Sequence, residues 1–351
     1  MTLAPEQPML AACDCLPLAC GHCACDRCED CGGCSGGNGC TCACMLEELR
    51  EQQRGVERIA HIAGMVAELY LGTHERHWLH DPKFAERLAG RTLFVSRVRL
   101  AERKSAFPKA LHPYCIDSGG FSELQYHGRW RITAAEYVAE IRRYLSELGP
   151  ELCKWVAPMD YMCERIVIEG GAAPRGLKFH GTRELRGLKP GDPEQDRLTA
   201  VRIHQRLTVE NFLELSALAP EIPWIPVLQG QTLADYEYCD QLYGEAGVDL
   251  LQARVVGLGS VCRRQATAEI EEIVNHFHAK GYRLHGFGVK TLGLERYGHK
   301  LVSADSVAWS YTAREEDIQL DGHTHKNCAN CADWAVEWHQ RVVRQHLTPA
   351  A

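Results

Sequence analysis

The sequence predicts an α/β protein whose central unit is a closed (β/α)8 barrel of the TIM type, with a cysteine-rich N-terminal extension and a C-terminal zinc-binding subdomain. Three observations predict it. Short apolar strands alternate with amphipathic helices from Leu93 to Asp305, and the strands lack the in-out alternation of half-exposed sheets, as parallel strands covered on both faces do. Roughly eight such strands can be counted when weak ones are admitted, and no Gly-x-Gly-x-x-Gly turn follows the first, which favours a barrel over an open dinucleotide-binding sheet. Polar residues also recur at the expected C-terminal ends of the strands: Asp117, Asp160, Gln229, Gly257 and Asp305.

The strand and helix expectations run in chain order. Leu49, Val56, Ile59, Ile62, Met65, Val66 and Leu69 form one apolar stripe, predicting a helix from Met45 to about Tyr70. Strands follow at Leu93–Val95 and Tyr114–Asp117. Thr133 and Glu136 form a capping box ahead of a helix with Val138, Ile141, Leu145 and Leu148 on one face, and Gly149-Pro150 ends it. A buried strand then leads from Lys154 towards Asp160, and the Gly-, Pro- and charge-rich piece 170–196 reads as an excursion at one mouth of the fold. Beyond it the pattern gives helix Val209–Leu215, strand Trp224–Leu228, helix Thr232–Tyr243 and strand Leu250–Val256. Helix Thr267–Lys280, strand Arg283–Phe287, helix Leu292–Tyr297 and strand Leu301–Asp305 complete the series. The resulting division is 1–44 cysteine-rich, 45–90 helical, 91–314 barrel and 315–351 zinc-binding.

Composition bounds the function. A chain of 351 residues can bury a large core. No stretch approaches the roughly 20 apolar residues that span a bilayer, and the expected location is cytoplasmic. The net charge of -7 gives no global attraction to nucleic acid, so contact with a polynucleotide would fall to local pairs: Arg129 with Arg131, Arg263 with Arg264, Arg341 with Arg344. Eleven of the 18 cysteines lie between Cys13 and Cys44. Within that stretch Cys20, Cys23, Cys25, Cys28, Cys31 and Cys34 are spaced as chelating pairs among Gly, Ala, Asp and Asn, residues that cannot build an apolar core. A second metal region is the leading reading there, with zinc favoured over disulfides or an iron-sulfur centre, and a disordered leader without defined function is the alternative.

The polar residues define a candidate site. In His112-Pro-Tyr-Cys-Ile-Asp117-Ser-Gly-Gly-Phe-Ser-Glu123, a strand delivers Asp117 at its tip, and Gly119-Gly120 leaves room for a flat ligand; the competing role for Asp117 is capping the next helix. Barrel geometry would bring Asp117, Asp160, Gln229, Gly257 and Asp305 to one mouth. Carboxylates so placed repel, so one should carry a raised pKa and move protons while another stays ionised, the division of labour of glycosyl transfer. An acidic pocket could instead hold magnesium for hydrolysis or aldol chemistry.

Near the C-terminus, His323-Thr-His325-Lys-Asn-Cys328-Ala-Asn-Cys331 precedes a helix with Trp334, Trp338 and His339. Cys328 and Cys331 form a knuckle, and His323 or His325 together with His339 would complete a tetrahedral Cys2His2 zinc site. Four protein ligands leave no open position, so the zinc would be structural, pinning the last helix to the barrel.

Taken together, Asp117-Ser-Gly-Gly-Phe121, Ala157-Pro-Met-Asp160, Val227-Leu-Gln-Gly230, Gly257-Leu-Gly259, His285-Gly-Phe-Gly288, Asp305 and the zinc cluster occur in an order that resembles the tRNA-guanine transglycosylase superfamily over about residues 90–345. The resemblance implies an irregular eight-stranded barrel that exchanges guanine in a polynucleotide for a 7-deazaguanine by double displacement. It implies Asp305 as nucleophile on the sugar, Asp117 as general acid/base, and Asp160, Gln229 and the Gly257 backbone, with Ser118, Gly119 and Phe121, around the base. Three departures set the chain apart from the tRNA enzymes: Trp309-Ser-Tyr-Thr-Ala-Arg314 replaces Pro-Thr-Arg after the nucleophile, histidines replace a cysteine of the zinc motif, and Ser122 replaces Gln. These look more like the DpdA-type branch, which inserts 7-cyano-7-deazaguanine (preQ0) into DNA. The partners so implied are guanine-containing DNA, preQ0 or a related deazaguanine, helper proteins of a DNA-modification system and a second copy of the chain in a homodimer, with structural zinc as cofactor and no membrane. The alternatives are a tRNA substrate, a catalytically inactive nucleic-acid-binding module, and a metal-dependent barrel enzyme acting on a small molecule.

Overall fold

The computed structural model describes residues 68–173, 176–182 and 193–347. The cysteine-rich stretch, with Cys20 to Cys34, and the helix expected from Met45 up to residue 67 lie outside the described residues.

Among the described residues ten strands follow in chain order: β1 (Glu68–Thr73), β2 (Leu93–Ser96), β3 (Tyr114–Asp117), β4 (Cys153–Val156), β5 (Gly171–Ala172), β6 (Lys178–Phe179), β7 (Val227–Leu228), β8 (Val256–Leu258), β9 (Leu284–Gly286) and β10 (Ser303–Ser306). Eight of them make one sheet in the order β4-β3-β2-β1-β10-β9-β8-β7, every pair parallel, while β5 and β6 form a separate antiparallel pair. The sheet curls. A parallel bridge joins Val156 at the end of β4 to Trp224 ahead of β7, with the Val156 N–H donating to the Pro223 carbonyl (3.0 Å) and the Ile225 N–H to the Val156 carbonyl (3.2 Å).

Side chains explain why these strands read as continuous apolar runs. Tyr70, Phe94, Cys115, Trp155, Ala157, Ile225, Val227, Val255 and Val302 pack together on the concave side. Their strand neighbours Leu69, Leu71, Leu93, Val95, Tyr114, Ile116 and Val156 join the larger core under the helices. Both faces are therefore dry. The same fact corrects the expected helix ending at Tyr70. Glu68–Thr73 is a strand between β2 and β10, and because its inner and outer residues are both apolar, its sequence continued the preceding apolar stripe. The sheet thus begins before residue 91.

The helices are α1 (Arg97–Ala101), α2 (Gly120–His127), α3 (Ala134–Leu148), α4 (Arg165–Glu169), α5 (Pro193–Leu218), α6 (Leu233–Glu245), α7 (Ala268–Ala279), α8 (Thr291–Tyr297), α9 (Ala308–Glu315) and α10 (Ala332–His346). Local chemistry sets several starts. Thr133 and Thr232 close capping boxes with Glu136 and Asp235, and Thr267 accepts from the Ile270 N–H. The two largest boundary differences from expectation lie in α5 and β8. Helix α5 begins at Pro193, inside the piece read as an irregular excursion; the pattern shows helix only from Val209 because the buried positions before it include His204, Gln205 and Thr208, which break the apolar stripe. Strand β8 begins at Val256, and 250–254 form turns instead of the strand expected from Leu250. No described helix is long and apolar enough to cross a membrane.

Leu71 is fully buried in β1. Leu71→Ala is expected to cost about 2–5 kcal/mol, read as a lower urea midpoint; a near-neutral change would be inconsistent with a central strand here.

Candidate active site

The tip of β3 is built by local hydrogen bonds. Gly119 adopts φ +76, and its N–H donates to Asp117 Oδ2 at 3.0 Å. The Gly120 N–H donates to Ser118 Oγ, also at 3.0 Å. Asp117 therefore orders the turn instead of capping α2, whose N-cap position is Gly119. Both glycines are required by contact as well. A Cβ on Gly119 would lie 2.6 Å from Val98 Cγ2, and one on Gly120 would crowd Asp160 Oδ1, Ser118 Oγ and the Trp130 ring at 3.1 Å each. From beneath, buried Arg97 donates to the Ser118 carbonyl (3.1 Å) and pairs with Glu123 (2.9 Å) and Glu140 (2.8 Å).

Asp160, in the loop after β4, is held from two other strands. Ser118 Oγ donates to its Oδ1 (2.9 Å) and Gln229 Nε2 to its Oδ2 (2.7 Å). Gln229 is itself fixed, since its Oε1 accepts from Ser260 Oγ at 2.6 Å. Burial, then the nearby Asp117 charge, push Asp160 up to about 7, against the pull of its hydrogen bonds. Asp117 is pushed up to about 6, first by burial and then by Asp305, with the Gly119 N–H and Ser96 pulling the other way. Asp117 thus lies within electrostatic reach of both Asp160 and Asp305 at one end of the sheet.

Asp305 lies in β10, where its Oδ1 accepts from the Gly288 N–H (2.9 Å) and faces His285 Nε2 (3.3 Å). Gly288 has φ +63, and a Cβ there would lie 2.7 Å from Cys262 Sγ. Phe121 is 37% exposed at the mouth, edge-on to Phe179 (5.7 Å), with the Arg263 guanidinium over both rings at 4.8 and 5.1 Å. A cavity of about 520 Å³ adjoins this group, lined by Glu164, Gln231, Thr232, Arg263 and Arg264 among others.

Gly257 does not take the expected place. It sits within β8, its N–H donates to the Pro226 carbonyl (2.9 Å), and a Cβ would strike the Phe287 ring at 2.5 Å. Its N–H serves the sheet, and the glycine that lies against Gln229 is Gly259, where a Cβ would come within 2.2 Å of the amide. Sequence reasoning assigns no role to Ser260, and it includes His285 only within the His285-Gly-Phe-Gly288 motif, without a role in the site. A histidine in the middle of an otherwise apolar strand was the available signal for the second.

A sequence profile of the family described as DpdA, DeoxyPurine in DNA protein A, matches residues 65–179 and 194–349. The chain belongs to this family. Membership places it with the DNA-guanine transglycosylases of deazapurine DNA modification. No curated protein sequence gives a significant match.

The family member also carries a cluster that could hold a metal ion such as zinc. His323, His325, Cys328 and Cys331 each offer one ligand atom, all within 4.8 Å of one another. His325 Nε2 lies 3.1 Å from Cys328 Sγ, and His323 Nδ1 lies 3.6 Å from Cys331 Sγ. Tetrahedral bonds of about 2.0–2.3 Å would set such atoms about 3.3–3.8 Å apart, so the donor set fits. His323 Nε2 faces Asp333 at 3.5 Å, the outer carboxylate typical of a ligating imidazole. His339 is not part of this group. Its Nε2 donates to the Leu69 carbonyl at 2.8 Å, which ties α10 to β1, and both His323 and His325 join the cysteines instead of competing for one position.

The raised carboxyls make stability depend on pH. Between about pH 4, where free Asp titrates, and about pH 7, the folded chain keeps protons that the unfolded chain has lost, so stability falls as pH rises. Asp160→Asn should flatten that fall, measured as urea midpoints from about pH 4.5 to 7.5; an unchanged slope would show that Asp160 does not titrate in this window.

Proposed function

We propose that the chain exchanges guanine in DNA for preQ0 on an irregular (β/α)8 barrel closed by the Val156–Trp224 bridge, through a covalent link between Asp305 and the sugar. The observation that carries this reading is the placement of Asp160 between Ser118 and Gln229, with Asp305 close enough to raise Asp117. Asp160, whose carboxyl is pushed up to about 7, is ionised from neutral pH upward, and in that form beside an amide it suits a base edge that offers N–H donors, as the N1 and exocyclic amine of guanine and deazaguanine do. Phe121, partly exposed, supplies a face for the base. In a duplex the nucleotide must first leave the stack, at a cost of about a few kcal/mol.

The steps balance with two carboxyls. Asp305 attacks C1′ as the bond from C1′ to guanine N9 breaks, and protonated Asp117 gives its proton to the departing base. The incoming deazaguanine returns that proton to Asp117 carboxylate as its N9 attacks C1′, and Asp305 is released as carboxylate. Two inversions restore the anomeric configuration. A carboxyl pushed up to about 6 suits Asp117 to both transfers near neutral pH. At the other end of the chain, zinc bound by His323, His325, Cys328 and Cys331 would be structural, with no position open to water.

Incubation with guanine-labelled DNA and preQ0 should release guanine; release from tRNA but not DNA would reject the DNA reading. Asp305→Ala should eliminate a denaturation-resistant adduct with DNA, and persistence of the adduct would remove Asp305 from the nucleophile's role. Asp117→Asn should fold yet lose turnover by about 100-fold or more. Metal analysis should find one zinc fewer per chain in a Cys328→Ser, Cys331→Ser double variant than in the wild type, and equal content would reject the site.

A further inference from the structure

His285 is fully buried on the concave side of the sheet, with no solvent to satisfy its ring nitrogens. It is caged by aromatic rings: Tyr70 stacks on it at 5.4 Å, Trp155 and Phe287 meet it edge-on at 4.8 Å, and Phe94 lies at 5.8 Å. Two polar contacts remain, and both run along one line. Nδ1 lies 2.9 Å from Ser303 Oγ, and Nε2 lies 3.3 Å from Asp305 Oδ1.

The strand register builds this arrangement. Residue 303 pairs with His285 and residue 305 with Tyr70, so alternate residues of β10 and its two neighbours share the concave face. The partners also choose the tautomer. Asp305 Oδ1 already accepts the Gly288 N–H, so a carboxylate there requires a hydrogen on Nε2, and Nδ1 then accepts from Ser303.

Resting on the base-exchange reading, we infer that His285 is a positioning residue for Asp305: with Ser303 behind it, it donates Nε2–H to Oδ1 and thereby presents Oδ2 to the sugar. Two donors on Oδ1, from His285 and Gly288, leave Oδ2 as the oxygen that forms and breaks the bond to C1′. When that bond breaks in the second displacement, charge returns to the carboxylate, and Oδ1 meets donors already in place. No covalent change occurs at His285. A buried imidazole inside a hydrophobic cage cannot reorient without losing both partners, which makes the direction of the donor durable.

The test compares His285→Leu, which removes the donor, with His285→Gln, whose amide can place an N–H near the Nε2 position. The readout is the rate of Asp305-dependent adduct formation on guanine-containing DNA against pH. The titratable and charged neighbours of Asp305 that would share the profile are Asp117, Cys262, Tyr70 and His285. The Leu variant should lose roughly 10- to 100-fold and its acid limb should move to higher pH, with Gln restoring much of both. A Leu variant at wild-type rate and profile, or a Gln variant as impaired as Leu, overturns the inference. If the Leu variant does not fold, Ser303→Ala should move the acid limb in the same direction by less, and an unmoved limb overturns it. Imidazole ¹⁵N shifts of the wild type, which require no activity, should show Nε2 protonated and Nδ1 bare. The reverse tautomer refutes the role of His285 whether or not the exchange reading stands, whereas a wild type with this tautomer but no adduct refutes only that reading.

Discussion

The carboxylate of Asp160 lies between a hydroxyl from the β3 loop and an amide from the end of β7, and the rest of the site depends on how that buried charge is satisfied. Ser118 can reach it only because Gly119 turns with positive φ and Gly120 has no side chain to fill the gap. Gln229 can reach it only because Ser260, itself at φ 58, holds the other end of the amide, and because Gly259 leaves the amide room. Four strand ends are thereby tied to one carboxylate. A buried charge that lost one of these donors would cost more than the hydrogen bond contributed, so the placement is stiff.

The same accounting separates the other two acids. Asp117 takes one backbone N–H from its own turn and one contact from Ser96, and it faces two like charges. Asp305 takes both of its donors, Gly288 and His285, on a single oxygen. The acids are therefore not interchangeable. Under the proposed exchange one would bind and release a proton while the other keeps one oxygen for the sugar, a division that follows from which strands supply donors.

Much of this was legible in the sequence. A carboxylate or amide at a strand tip needs only the strand's end to be found, and β3, β4, β7 and β10 ended close to where apolar runs gave way to Asp117, Asp160, Gln229 and Asp305. What could not be read shares one cause: the buried surface is not uniformly apolar, nor the apolar surface uniformly helical. His204, Gln205 and Thr208 hid the first turns of α5 because they bury polar groups against Met162, Gln229 and Tyr161 backbone. Strand β1, dry on both faces, continued a helical stripe. Gly257 was placed at a tip because the strand was drawn from Leu250, whereas the strand starts at Val256 and its tip is Gly259-Ser260. The cysteine-rich stretch falls outside the described residues.

His339 shows how a misplaced ligand exposes a mechanical connection. Spacing alone allowed it to complete a Cys2His2 set, but its Nε2 carries a hydrogen that goes to the Leu69 carbonyl, and nitrogen so engaged cannot bind a metal. Nearer the start of the same helix, Trp334 donates to the Trp309 carbonyl (2.8 Å) and Trp309 to the Gly72 carbonyl (2.8 Å). Helix α10 therefore grips β1 through Leu69 directly and through Trp309 at Gly72. Strand β1 in turn pairs residue for residue with β10, where Tyr70 registers with Asp305. An ion bound by His323, His325, Cys328 and Cys331 would fix the start of α10, since Cys331 is its N-cap residue. The His323, His325, Cys328 and Cys331 cluster is thus one helix and one strand from Asp305, so an ion that ordered the start of α10 would also bear on the strand pairing that places Asp305.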